Sequence, residues 1–259
     1  MCKPNIMYCA VFVCNFRYLE KFFETCRNLI DVGEYNGPIV LIVGNDINVE
    51  ALKKHAFMKS NPQIMVHYCP DIIFNREVSL ELDKVNTKCG KFGYKLFQYH
   101  KYHLFTPFFK KWKYIFYIDC GAKIYDNIQP ILDCALPDTL LAHSDAYPTY
   151  NWKLSCQFCL EDVHKKMDWD LNIDYFQSTI MLFDSSIIED DTFQKLYELT
   201  EMYPYSKTND QGILNLYFIC MRKKWKQLKF GNDSTYFYDF YIRNTDKPYI
   251  MTKYFVFND

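Results

Sequence analysis

The run Trp112-Lys113-Tyr114-Ile115-Phe116-Tyr117-Ile118-Asp119-Cys120-Gly121 constrains this chain more than any other stretch. Apolar side chains fill it with little alternation, the pattern of a central strand covered on both faces. It ends abruptly in a carboxylate, and in open α/β sheets the ligand crevice lies outside the carboxyl ends of the strands. Asp119 is therefore expected to face a ligand rather than a core. Beyond it, Ala122 to Pro130 resumes an extended apolar stretch and then opens a short helix with Asp126 or Asn127 as its cap.

The segments before this strand alternate in type, as in a parallel α/β sheet. Ile6 to Cys14, Pro38 to Val43 and Gln63 to Tyr68 read as strands. Tyr18, Phe22, Phe23, Cys26, Leu29 and Ile30 recur at helical spacing, and Gly33 supplies a stop. Val49 to Phe57 reads as a second helix, Asp71 to Asn86 as an irregular connection, and Tyr94 to Phe105 as a helix leading into the Asp119 strand. In the second half Thr139 to His143 and Phe176 to Phe183 are strands, and 148–170 is loops with a short helix. Ser185 and Ser186 could cap a helix over Ile187 to Met202, with Glu189, Asp190 and Asp191 near its positive end. Thr208 or Asn209 could cap another through Phe218, and short strands and turns follow from Trp225. The expected fold is one α/β domain over 1–259, a mixed central sheet flanked by helices, divided into a half over 1–125 that takes a nucleotide and a catalytic and acceptor half over 126–259.

Composition narrows the function classes. Thirty basic and 31 acidic residues leave a net charge of -1, so nothing electrostatic points to nucleic acid or an anionic membrane. Eleven cysteines without a secretory signal read as reduced thiols in a cytoplasmic compartment. No apolar stretch approaches the ~18 residues of a transmembrane span.

Several segments, taken in order, carry a resemblance. Tyr117-Ile118-Asp119-Cys120-Gly121 resembles the Asp-x-Asp segment of the GT-A glycosyltransferases, particularly family 8, with Gly121 where the last acid of the triplet falls. Phe176-Gln177-Ser178-Thr179-Ile180-Met181-Leu182-Phe183 is similar to the family's Phe-Asn-x-Gly strand, and Asn209-Asp210-Gln211-Gly212-Ile213-Leu214-Asn215 to its Asp-Gln helix start. Asp246-Lys247-Pro248-Tyr249 looks like its C-terminal Lys-Pro-Trp. Val11 to Tyr18 holds the position of the family's nucleotide-base strand.

The resemblance implies a GT-A-like fold and transfer of a sugar from a nucleotide donor, a UDP-sugar, to a hydroxyl of a glycan, protein or small acceptor. Asp210, Gln211 and Gln177 would be the catalytic residues. Asn15, Tyr18, Lys95, Asp119, Gly121 and Lys247 would bind the donor, and Asp119 would hold Mn²⁺ or Mg²⁺. Such a transfer releases a diphosphate, so charge must be stabilised on phosphate oxygens in the transition state. With Gly121 in place of an acid, and Tyr241 or Arg243 where the family has a histidine, the cation would be completed by substrate phosphates. Alternatively Arg243, Lys247 and Lys95 would neutralise the leaving group without metal. The family retains anomeric configuration, but the sequence offers no compelling covalent nucleophile. The aromatic residues of 146–170, among them Tyr147, Tyr150, Trp152 and Trp169, are expected to grip the acceptor.

The rival from another class is a non-catalytic sugar-binding relative, motivated by Gly121. A nucleotidyltransferase would want a Gly-rich basic loop after the first strand, which Cys14-Asn15-Phe16-Arg17 is not. Cys156-Gln157-Phe158-Cys159 with His164 could offer three zinc ligands, but a closing pair is missing. His100 and His103 share a helix face among aromatic residues and read as a core edge. No GxGxxG, Walker loop or GxSxG occurs.

Overall fold

A computed structural model describes residues 7–90, 95–146, 151–159, 169–228, 238–239 and 251–253. Its strands follow from the apolar runs: β1 (Tyr8–Cys14), β2 (Ile39–Val43), β3 (Ile64–Tyr68), β4 (Tyr114–Ile118), β5 (Ala122–Ile124), β6 (Leu140–Ser144), β7 (Phe176–Asp184), β8 (Trp225–Gln227), β9 (Tyr238–Asp239) and β10 (Met251–Lys253). Seven of them form one sheet in the order β3-β2-β1-β4-β7-β6-β8, and β5, β10 and β9 form a second, small sheet. β3, β2, β1 and β4 run parallel, whereas β7 is antiparallel to both β4 and β6, so the central sheet is mixed.

Successive residues of one strand join different cores. Cys9, Val11 and Val13 of β1 pack with Tyr117 in one apolar cluster, and Ala10, Phe12 and Cys14 pack with Phe116 and Ile118 in the other. Every residue of β4 and β7 is buried. Both faces of the sheet centre are thus covered, which is why these strands lack polar alternation. Among the described residues no helix is long and apolar enough to cross a membrane.

The helix over Leu19–Asp31 forms at the expected spacing, with Phe22, Phe23, Cys26 and Leu29 buried. Its polar residues latch the loop beyond β4: Thr25 Oγ1 accepts from Gly121 N at 2.9 Å, and Asn28 Oδ1 accepts from Ile124 N. Elsewhere the elements differ from those the sequence predicts. The connection over Asp71 to Asn86 contains a regular helix, Arg76–Lys88, started by Asn75, whose Oδ1 accepts from Val78 N at 2.9 Å. The helix over Val49 to Phe57 divides into Val49–Lys54 and Ala56–Ser60, because His55 turns extended (φ -60°, ψ 140°) and caps the second piece. The helix placed over Ile187 to Met202 begins only at Thr192, since Asp184 caps a separate 3-10 turn over Ser185–Ile187. Glu189, Asp190 and Asp191 therefore precede the helix. The helix expected after Thr208 or Asn209 runs Asp210–Asn215 and widens into a π-turn over Leu216–Met221.

His100 and His103 lie on the 3-10 helix Leu96–Phe105, both buried as a core edge requires. Burial drives the His103 pKa down to about 4; neighbouring His100 and His67 push the same way, and the Pro70 carbonyl opposes them. His100 is also lowered, burial outweighing the pull of Asp71 and Asp46. The unfolded chain then binds protons near the ordinary histidine pKa of ~6.5 while the folded one stays neutral to about 4, so stability falls as pH drops through that window. Between pH 7 and pH 5 the His103 contribution is roughly 2 kcal/mol. Urea unfolding across pH 4 to 8 should show this slope, and His103→Phe should flatten it; an unchanged slope in that variant would show that other groups dominate.

Candidate active site

Four elements deliver polar side chains to the carboxyl end of β4. Asp119 follows β4 and is fixed by its own backbone, Asp119 N donating to Thr179 O of β7 at 2.9 Å. Ser178 belongs to β7, and Asp210 and Gln211 open the helix Asp210–Asn215. The fourth element is the 3-10 helix Leu96–Phe105, and it brings Lys101.

Lys101 Nζ lies 3.2 Å from Asp119 Oδ1 and 3.2 Å from Asp210 Oδ2. It also donates to Ser178 Oγ at 3.2 Å and Ser178 O at 3.3 Å, and stands 5.4 Å from the centre of the Tyr117 ring. Tyr117 OH donates to Asp119 Oδ1, and Ser178 Oγ donates to Asp210 Oδ2 at 3.1 Å. Asp210 is 2% exposed and Lys101 8%. Burial by itself would lower the Lys101 pKa, but Asp119 and Asp210 together outweigh it and the net direction is up. Asp210 is also raised, by burial first, with Asp119 repelling and Lys101 and Ser178 only partly compensating. The two directions agree physically. One ammonium serving two carboxylates is held charged, while the more deeply buried acid is left short of positive charge.

Gln211 is held at both ends of its amide. Its Oε1 accepts from Ser178 N at 3.0 Å, and its Nε2 donates to Gln157 Oε1 at 3.0 Å and Asp145 Oδ2 at 3.4 Å. Gln177 Nε2 donates to the same acid, to Oδ1 of Asp145 at 3.1 Å. Asn209, just ahead of Asp210, adopts φ 54° and makes no cap bond with its side chain. That side chain bonds instead to Asn86 at 3.2 Å and Gln98 at 2.5 Å. An asparagine at positive φ is a strained but tolerated start, here fixed from outside the helix.

Asp119, Asp210, Gln211 and Gln177 thus meet at one place. Asn15 and Tyr18 stand at the end of β1, Asn15 Oδ1 accepting from Tyr18 N at 3.2 Å. Lys21 joins that edge to Gly121: its Nζ is 5.0 Å from the Tyr18 ring centre, and its Cδ lies 3.6 Å from where a Cβ on Gly121 would be. Gly121 has φ 100°, a conformation that side chains resist, so the missing acid reflects a backbone requirement of this turn. Lys95 is exposed at the start of the 3-10 helix, and it is Lys101 of that helix that meets the carboxylates. Lys247, Tyr241, Arg243 and His164 lie outside the described residues, as do Tyr147 and Tyr150. Trp152 is exposed, whereas Trp169 packs edge-on against Tyr203 at 5.7 Å. Among the described residues no group of three His, Cys, Asp or Glu is arranged to hold a metal. A cleft of about 360 Å³ opens beside Gly121, lined by Lys21, Thr25, Asn28 and Lys123 among others, but none of the clustered acids lines it.

No known protein-family profile matches the sequence, and no curated protein sequence does. Solved structures do match. The chain is similar to the galactosyltransferase LgtC in complex with donor and acceptor sugar analogues, with a TM-score of 0.61 at 15% identity over 95% of this chain and 86% of that one. It is similar to the bifunctional glycosyltransferase WbbM (TM-score 0.57, 14% identity, 92% of this chain and 40% of that) and to the glycosyltransferase GlyE of Streptococcus pneumoniae (0.51, 15%, 86% and 45%). The fold is that of the GT-A glycosyltransferases, as a single domain around a mixed sheet.

Lys101→Met should leave buried Asp210 and half-buried Asp119 without their shared cation, costing roughly 3–5 kcal/mol. Lys101→Arg should recover much of the loss, and Asp210→Asn should soften the cost of Lys101→Met, because it removes one of the two charges. Denaturant melts of these variants check this; additive losses would mean that Lys101 and Asp210 are not coupled.

Proposed function

We propose that this protein is a glycosyltransferase that moves a sugar from a nucleotide-sugar donor, a UDP-sugar, to a hydroxyl of a glycan, protein or small-molecule acceptor. The observation that carries this reading is the convergence of Asp119, Lys101, Ser178, Asp210 and Gln211 at the carboxyl end of the sheet. In GT-A architecture that edge is where a ligand crevice is expected. LgtC, with the same fold, was solved with donor and acceptor sugar analogues bound.

In the proposed reaction the bond from the anomeric carbon to the diphosphate oxygen breaks, and its electron pair leaves with the diphosphate. The acceptor hydroxyl oxygen bonds to that carbon, and its proton passes to the departing diphosphate. Asp210 and Gln211 sit on a helix anchored by buried Ile213 and Leu214, which presents them rigidly to the transferred sugar. Gln177 adds an amide beside them. Asn15 and Tyr18 lie toward the nucleotide, and the resemblance keeps Lys247 for the diphosphate. Trp152 and its neighbours are assigned to the acceptor. The described cysteines are free thiols, which supports a reducing, cytoplasmic setting.

Mn²⁺ or Mg²⁺ fits this donor set in one way. The trio Asp119, Asp210 and Lys101 holds two acids against one ammonium, so an incoming diphosphate meets residual negative charge. Gly121 has no side-chain ligand to offer, so Asp119 would hold the cation together with substrate phosphates. When bound, such a cation supplies positive charge to the leaving diphosphate.

Incubation with UDP-sugars should release UDP, and Asp210→Asn should lower turnover by more than ~100-fold. Calorimetry should detect Mn²⁺ only when UDP is present, and not in Asp119→Ala. A folded protein that releases nucleotide from no donor would sink the transferase reading and leave a sugar-binding relative; unaltered turnover in excess chelator would remove the metal alone.

A further inference from the structure

Two thiols outside the carboxylate cluster stand together. Cys89 ends the helix Arg76–Lys88 and is exposed, and Cys159 follows the 3-10 turn Leu154–Gln157 and is partly exposed. Far apart in sequence, their side chains are hydrogen-bonding neighbours. Burial raises the Cys159 pKa first and Cys89 adds to it, while Lys207 and Lys88 pull the other way. Among the described cysteines only Cys89 and Cys156 are exposed, so an oxidant in solution meets Cys89 directly.

The hydrogen bonds around the pair explain why it meets. Cys159 N donates to Tyr205 O at 3.1 Å and Lys207 N to Gln157 O at 2.8 Å, which lays the Cys159 segment along 205–207. Gln157 Oε1 then accepts from Thr208 Oγ1 at 2.5 Å and from Gln211 Nε2 at 3.0 Å. From the other side Asn86, one helical turn before Cys89, donates through Nδ2 to Asn209 Oδ1 at 3.2 Å. The stretch Thr208 to Gln211 is thus gripped from two sides, by a residue near Cys89 and a residue near Cys159.

We propose that Cys89 and Cys159 form a redox-active dithiol, which a low-molecular-weight disulfide such as oxidised glutathione converts to an intramolecular disulfide that clamps the start of the Asp210–Asn215 helix. Cys89, as thiolate, attacks one sulfur of the small disulfide; that S–S bond breaks, one small thiolate leaves, and a mixed disulfide forms on Cys89. The Cys159 thiolate then attacks the Cys89 sulfur and expels the second small thiolate. The two protons lost by the cysteines end on the two released thiols, so the protein dithiol is oxidised by two electrons and one small disulfide is reduced. A thiol held protonated is the slower nucleophile, so the exposed Cys89 reacts first and Cys159 completes the exchange. In a reducing compartment the pair stays as thiols, and the disulfide marks a shift of the surrounding thiol pool. The pair needs no sugar donor and stands apart from the transferase reading.

The test places the full chain in glutathione buffers from fully reduced to fully oxidised, alkylates the remaining thiols and maps linked peptides by mass spectrometry. A cross-link between Cys89 and Cys159 of one chain should be the main product, reversed by dithiothreitol, and Cys156→Ser should leave it unchanged. Cys159→Ser should instead accumulate glutathione on Cys89, because the thiol that expels it is gone. The cross-linked chain should melt about 5 °C or more above the reduced one, since closing a loop of roughly 70 residues restricts the unfolded chain. Its amides from Thr208 to Gln211 should exchange about tenfold more slowly. A main product through Cys156, a link between chains, or both thiols still open to alkylation in fully oxidised buffer overturns the proposal. A cross-linked chain with unchanged melting and exchange overturns the clamping role. If Cys159→Ser does not fold, the wild-type map decides alone. Release of UDP from a donor, or its failure, bears on the transferase reading and leaves this outcome unchanged.

Discussion

A single buried ammonium shared between two carboxylates organises this end of the molecule. Lys101 ties a 3-10 helix to the tip of β4 through Asp119, to β7 through Ser178 and to a short helix through Asp210. Placing a lysine in such a position costs desolvation, and only paired acids make it tolerable. The helix that carries it is anchored by Tyr99, Tyr102, Leu104 and Phe105, all at 0% exposure, so the ammonium cannot retreat to solvent. Tyr117 supports the arrangement from below, with its hydroxyl on Asp119 and its ring near the ammonium.

The rest of the site is built outward from that bridge. Asn215 locks the short helix to the start of β7: its Oδ1 accepts from Phe176 N and its Nδ2 donates to Phe176 O, both at 2.8 Å. Gln211 and Ser178 repeat the connection one turn nearer the crevice. Helix and strand therefore move as one piece, and Asp210 and Gln177 keep a fixed relation to Asp119. The loop beyond Asp119 is held separately, by Thr25 on Gly121 and Asn28 on Ile124, so the carboxylate is braced from both sides. An acid at position 121 would have to adopt the backbone that glycine takes here.

Much of this was legible in the sequence, for identifiable reasons. The strand ending in Asp119 has a continuous apolar signal because both its faces are buried, and the Asp-Gln pair stands at a helix start. Lys101 was not legible in the same way. It sits within Tyr99-His100-Lys101-Tyr102-His103, where the aromatic neighbours indicate burial and a lone lysine reads as surface. A lysine inside a run read as core was the available signal, and it called for a search for buried acids. Asp145 was hidden because a carboxylate after a strand is common in turns, and its meaning depends on two glutamines distant in sequence. The helix over Arg76–Lys88 was hidden by its polar composition; Asn75 at its start was the cue.

Hydrogen exchange tests the central claim most directly. The measurement is made on the whole chain with and without the UDP-sugar that gives the largest thermal shift, since a ligand that binds the native state slows opening where it binds. The account predicts that amide protection rises together in three places: around Asp119, along Gln177 to Thr179, and at Asp210 and Gln211. Protection confined to the neighbouring cleft, around Lys21 to Val32 and Lys123, or no nucleotide-dependent change anywhere, would contradict it.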